Sequence, residues 1–231
     1  MKIGYKFVVV SLMLCSLTAT RAQDKNHYKK LYKQALSYAD VATAASALNN
    51  LIVLGETTYK DSLATLYNRG GLFNQSYSIT KQLLADKPAN KLLLELMVDN
   101  TTQLGIDTEA LAYVDKLLVL DKANSYYLYR KSLLLINTKD YSGCLQTINT
   151  VLETAINPTE QITVEGLSKP QVAIPIHAAL YNLKGLVYYQ LKDVSGAHMS
   201  FTKALELAPE FKLAKTNLDA LQKLKTKQDE K

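Results

Sequence analysis

A fixed order of large and small residues on two adjacent helices constrains this chain more than any other feature. Residues Ala178 to Phe211 read AALYNLKGLVYYQLKDVSGAHMSFTKALELAPEF. Tyr181, Gly185 and Tyr188 fall at i, i+4 and i+7, one face of a 3.6-residue helix. Ala197, Phe201 and Ala204 do the same on a second helix. Lys192-Asp193 and Ser195-Gly196 mark the turn between them, and Pro209 stops the second helix. Gly185 and Ala197 are small enough to let the helices approach closely. Tyr188 and Phe201 fill the space on either side.

This order of aromatic, Gly, Tyr, Ala, Phe, Ala and Pro resembles the tetratricopeptide repeat. It departs from that pattern at Lys184, where the family carries Leu and Leu183 sits one place earlier. Weaker copies precede it. Thr57–Asn90 places Ala64, Tyr67, Ser76 and Leu83 at corresponding positions, with Thr80 in place of the aromatic and Asn68–Gly71 at the turn. Lys91–Asn124 carries Leu94, Val98 and Thr101, then Ala110, Val114 and Leu117. Its turn is Gly105–Thr108, with Asp107 or Thr108 expected as N-cap. Ser125–Pro158 carries Leu128, Ser132 and Leu135, then Cys144, Ile148 and Val151, with its turn at Lys139–Tyr141. The starts at 57, 91 and 125 lie 34 residues apart, the period of the family.

The best copy starts at 178 instead of 159, so 19 residues are inserted, 159–177. Within them QITVEG and QVAIPIH alternate apolar and polar residues, which is strand-like. Both a projecting hairpin and an irregular loop fit. Residues 23–56 form an atypical N-terminal helix pair. Residues 212–231 comprise an amphipathic helix, carrying Leu213, Leu218 and Leu221, and a polar tail. That helix is similar to the capping helix that closes such arrays. The resemblance implies an all-α fold, a right-handed superhelical solenoid of antiparallel helix pairs with a C-terminal capping helix.

The first residues read differently. Lys2 and Lys6 precede the apolar run Phe7–Leu17, and Thr20-Arg21-Ala22 offers a small-x-small cleavage site. Residues 1–22 are therefore expected to be a signal peptide, with export to the periplasm or cell envelope. An uncleaved anchor, or a lipid on Cys15, would instead tie the chain to a membrane, although Leu14 is large for the position before a lipidated cysteine. Removing residues 1–22 takes Lys2, Lys6 and Arg21 and no acid, so the net charge of +6 falls to +3. That balance does not point to nucleic acid. It also leaves Cys144 as the sole cysteine, so no intramolecular disulfide can form in the mature chain.

No catalytic, cofactor-binding or metal-binding constellation is expected. His27, His177 and His198 fall in three separate elements without metal-motif spacing. Cys144 reads as a buried packing residue. Asn74-Gln75-Ser76 and Asn100-Thr101-Thr102 match the glycosylation sequon.

The resemblance implies instead that the first helix of each copy lines a concave groove through its second, fifth, ninth and twelfth residues. These are Thr58, Asp61, Thr65 and Asn68, then Leu92, Glu95, Asp99 and Thr102. In the later copies they are Tyr126, Tyr129, Leu133 and Ile136, then Ala179, Asn182, Leu186 and Tyr189. Tyr126, Tyr129, Leu133, Asn182, Leu186 and Tyr189 are the candidate contacts for a protein or peptide partner. The competing reading packs Tyr126, Tyr129 and Tyr189 against the insert or a neighbouring repeat. A carboxylate clamp of the family's chaperone-binding subgroup is not supported: Arg130 fits, but Asp61 and Thr65 replace its Lys and Asn. The expected role is a non-catalytic interaction adaptor. The rivals are a self-assembling envelope component and an accessory subunit of an enzyme or secretion complex acting through the insert.

Overall fold

The computed structural model describes residues 24–153, 160–165 and 171–229. Residues 1–22, expected to be a signal peptide, lie outside the described residues. The chain divides into two compact units, one up to Gly105 and one from Ile106. The first holds α1 (24–37), α2 (Val41–Val53), a 3₁₀ turn (Thr57–Tyr59), α3 (Lys60–Arg69), α4 (Phe73–Asp86) and α5 (Lys91–Gln103). The second holds α6 (Asp107–Leu120), α7 (Ser125–Asn137) and α8 (Tyr141–Glu153). There follow β1 (Gln161–Glu165), β2 (Gln171–Pro175), α9 (Ile176–Gln190), α10 (Val194–Leu207) and α11 (Lys212–Asp229). The unit boundary cuts the Lys91–Asn124 copy, because α5 packs on α4 and α3 while α6 packs on α7.

The turns that end α1, α3, α5, α7 and α9 each carry one residue in the left-handed region. These are Ala39 (φ 55°), Gly71 (74°), Gly105 (72°), Lys139 (63°) and Lys192 (64°). Gly71, Gly105 and Lys139 keep the 34-residue spacing; Lys192 follows after the period plus the insert. Where the left-handed residue is not glycine, an aspartate follows it and caps the next helix. Asp40 accepts from the Thr43 N–H (3.0 Å), and Asp193 from the Gly196 N–H (2.8 Å). Asn90 and Asn124, also 34 apart, accept from the N–H groups of Leu93 (3.1 Å) and Tyr127 (3.0 Å).

Three boundaries differ from the sequence reading. The cap of α6 is Ile106, without a side-chain cap bond. The left-handed Gly105 brings the chain into helix one residue early, so Asp107 joins the first turn and its carboxylate accepts from the Asn137 amide (3.3 Å). α9 begins at Ile176, because the hairpin delivers the chain directly into it. Ser195-Gly196 belongs to the first turn of α10, where a Cβ on Gly196 would lie 2.9 Å from the Tyr188 ring.

Each close approach joins residues 12 apart in sequence. Ala64 faces Ser76, Ser132 faces Cys144 and Gly185 precedes Ala197 by the same interval; all but Gly185, itself buried, are fully excluded from solvent. The Ser76 hydroxyl donates to the Ala64 carbonyl (2.9 Å), and the Cys144 thiol to the Ser132 carbonyl (3.3 Å). A polar atom is tolerated at these positions because a carbonyl of the facing helix lies within reach. A Cβ added at Gly185 would stand 2.5 Å from the buried Phe201 ring.

The insert is an antiparallel hairpin in which Gln161 pairs with Pro175 and Ile162 with Ile174. Ile162 and Ile174 are buried, whereas Thr163 and Ala173 on the opposite face are exposed. The strands also continue one pair beyond the ladder: the Ile176 N–H donates to the Glu160 carbonyl (2.7 Å). α11 packs on α10 through Ala214 and Leu221 and turns Lys212, Lys215, Asp219 and Lys223 to solvent. The Asn217 amide donates to the buried Asn182 oxygen (2.8 Å), 35 residues away. α11 therefore takes the place of a further first helix while presenting a polar outer surface.

Gly185→Leu is expected to lower stability by about 1–3 kcal/mol by forcing Phe201 from its site. A fall in the urea midpoint at unchanged slope is the readout; an unchanged midpoint would place Gly185 away from the contact.

Candidate functional site

In the first unit the first-helix face is formed by α1, α3 and α5. It holds a shallow cavity of about 260 Å³ lined by Tyr32, Leu36, Asp61, Thr65, Arg69 and Leu92, among others. Leu36 and Leu92 are exposed apolar residues at its rim. Asp61 is engaged by Lys87 Nζ at 3.1 Å, but both side chains are substantially exposed, so the pair adds little stability. Away from this face, a buried relay fixes the interior. Asn68 Nδ2 donates to Asn100 Oδ1 (3.0 Å), Asn100 Nδ2 to the Ser76 hydroxyl (2.9 Å), and Ser76 to the Ala64 carbonyl. Asn68, expected on the groove, is thus directed at Asn100.

In the second unit, α7 and α9 carry the six candidate contacts, and the structure separates them. Tyr126 and Tyr189 are 41% and 43% exposed. Tyr126 is the second residue of α7 and Tyr189 the penultimate residue of α9. Arg130 lies over the Tyr126 ring, 5.8 Å from its centroid, and donates to its hydroxyl (3.1 Å). Leu133 and Leu186 are half-buried against the apolar cluster of this unit. Tyr129 and Asn182 are not available to a partner. Tyr129 is 8% exposed and belongs to the same cluster as Ile162 and Ile174 of the hairpin, and Asn182 is 2% exposed and bound by Asn217. For Tyr129 the packing alternative therefore holds; for Asn182 the capping helix supplies the cover. Neither cover is signalled within α7 or α9.

A second cavity, about 440 Å³, opens between α10 and α11 and is lined by Val194, Ser195, His198, Met199, Leu221 and Gln222. His198 is exposed there. His177 stands where the hairpin meets α9; its Nε2 is buried with no hydrogen-bond partner among the described residues, and burial lowers its pKa. Among the described residues no three His, Cys, Asp or Glu side chains are grouped to hold a metal ion. No described helix is long and apolar enough to cross a membrane. The two sequons differ in the folded chain: Asn100 is fully buried, whereas Asn74 is exposed while the Ser76 hydroxyl of its sequon bonds inward. Burial, followed by the charge of Asp140, pushes the Cys144 thiol up to about 12.

No family model matches the sequence. No curated protein matches it either. Solved structures do match the fold. A tetratricopeptide repeat protein from Parabacteroides merdae ATCC 43184 is 16% identical, with a TM-score of 0.67 over 86% of this chain and 72% of its own. YrrB, described as a TPR protein with an unusual peptide-binding site, is 16% identical, with a TM-score of 0.62 over 81% of this chain and 88% of its own. A thermophilic TPR protein from Thermus thermophilus, TTC0263, is 14% identical, with a TM-score of 0.51 over 86% of this chain and 98% of its own. The fold is therefore all-α, built of antiparallel helix pairs of the tetratricopeptide repeat type.

Cys144 is expected to resist a thiol reagent in the native protein at pH 8, where a group titrating near 12 is protonated, and to react fully in denaturant. Stoichiometric labelling of the native chain would show that the α7–α8 contact opens readily.

Proposed function

We propose that this chain is a non-catalytic adaptor that binds a protein or peptide on its first-helix faces, in the periplasm or envelope of a bacterium. The observation that carries the reading is the presentation of large apolar and aromatic side chains at ligand-facing positions of helices that need none for their own packing. Leu92 is 52% exposed at the second position of α5, and Tyr126 and Tyr189 stand open on α7 and α9. Aromatic and apolar groups held on rigid helices recognise an extended segment at low entropic cost. The peptide-binding site described for YrrB supports the same use of the fold here. Export rests on the charged, apolar and small-residue order of residues 1–22.

Assembly of copies through the C-terminal end is disfavoured by the charged outer face of α11. The partner class is a protein or peptide, not a nucleic acid, because the charge is nearly balanced once the leader is removed.

The test uses residues 23–231 as bait in an envelope extract of the source cells, beside a Tyr126→Ala/Tyr189→Ala version. A captured protein is expected to fall at least tenfold with the variant. Equal capture would remove the site from these two helices. Tyr129→Ala is unsuitable, since it would empty buried volume and destabilise the unit. N-terminal sequencing of the protein recovered from its native cells is expected to begin at Gln23; a start at Met1 would overturn cleavage.

A further inference from the structure

We infer that the β1–β2 hairpin is a built-in occupant of the first-helix face in the second unit, and that it competes there with an extended segment of the partner. The inference rests on the adaptor reading and concerns the regulation of that face.

Equivalent positions of successive first helices carry the argument. At the second position Thr58, Leu92 and Tyr126 are all exposed, whereas Ala179 of α9 is 1% exposed. At the fifth position Asp61 and Glu95 are half-buried, whereas Tyr129 is buried. What distinguishes α9 from α3, α5 and α7 is the hairpin that leads into it. Ile162 and Ile174 share one apolar cluster with Tyr129, Ala178 and Ala179. The hairpin thus packs on α9 and adds two β-branched side chains to the cluster that buries positions the fold otherwise leaves open to a ligand.

The hairpin's own chemistry defines what could replace it. Its strands alternate, with Ile162 and Ile174 buried and Thr163 and Ala173 exposed. A partner segment in extended conformation, with branched apolar residues at every second place, offers the same face. A two-stranded hairpin is marginal by itself, so it can leave a surface without the helices beneath it unfolding. Val172 lies on the same side as Ile174 yet is 36% exposed, so the packed face covers the base of the hairpin and not its whole length.

The decisive experiment supplies the hairpin in trans. Gln161 and Pro175 are cross-strand partners, with Cα atoms about 5 Å apart in such a ladder, so Asn-Gly can replace residues 162–174 and rejoin them. A fluorescein-labelled synthetic peptide of residues 160–176 is then titrated against the full chain and the hairpin-less chain. The peptide is expected to bind the hairpin-less chain at least tenfold more tightly. Adding Tyr129→Asp to that chain is expected to remove the gain.

Equal binding to both chains overturns the proposal. So does failure to bind a hairpin-less chain that keeps its helical circular dichroism. Should either variant lose helicity, native-state hydrogen exchange of the unaltered chain decides. The Ile162 and Ile174 amides, which lie inside the ladder, are expected to exchange at least tenfold faster than the slowest amides of α7 and α9. Equal protection means that the hairpin never leaves without global unfolding, and overturns it. A hairpin that stays closed, in a chain whose partner is still lost with Tyr126→Ala/Tyr189→Ala, would remove this inference and retain the adaptor.

Discussion

The close approach of paired helices at two small residues is the contact on which the rest depends. It occurs at Ala64 with Ser76 and at Ser132 with Cys144, 12 residues apart in both, and α9 meets α10 closely where Gly185 faces Phe201. At the glycine nothing larger fits without moving a neighbour. At Gly185 that neighbour is Phe201, a ring with no exposed flank. Because the separation is set by backbone against side chain, the helices of a pair meet at a defined depth, and their outward faces acquire defined positions. The hydroxyl of Ser76 and the thiol of Cys144 turn the same constraint into a hydrogen bond, which ties each second helix to a particular carbonyl of the first. Close packing and polar satisfaction act at one point rather than at separate places.

The two units use this common contact differently. The first adds a buried amide relay through Asn68, Asn100 and Ser76 and leaves Leu36 and Leu92 exposed on its first helices. The second adds a hairpin and a terminal helix, which cover Tyr129, Ala179 and Asn182. A buried amide relay specifies register, since a shift would leave donors unpaired in the interior. An apolar hairpin specifies far less, because its contacts are non-directional. The first unit is thus fixed by directional bonds where the second has an element held largely by burial.

The helix pairs were legible because their period is written in residues that cannot be exchanged freely. The starts of α5 and α7 fall at Lys91 and Ser125, as the 34-residue spacing predicts. The hairpin was half legible. Alternation in QITVE and QVAIP pointed to strands, but their pairing depends on contacts that no short window contains. Burial of Tyr129 was legible only as one of two open readings, and burial of Asn182 was not legible. Each sits at a position that is open in an isolated repeat, and each is covered by an element far along the chain, the insert or α11. The start of α6 was missed for a local reason: Asp107 and Thr108 are good caps by type, yet the left-handed Gly105 gives the cap position to Ile106.

The amide relay has a bearing on how this protein can be produced. In a eukaryotic secretory host, Asn100-Thr101-Thr102 passes the glycosylation machinery as a nascent strand, before α5 has packed. An oligosaccharide takes the place of one of the two hydrogens on that nitrogen, which bonds Ser76, and adds a bulk that a fully buried side chain has no room to hold. A glycan on Asn100 and the native fold are mutually exclusive, so material from such a host divides into a folded fraction unmodified at Asn100 and a fraction modified there that fails quality control. A bacterial host never meets that choice.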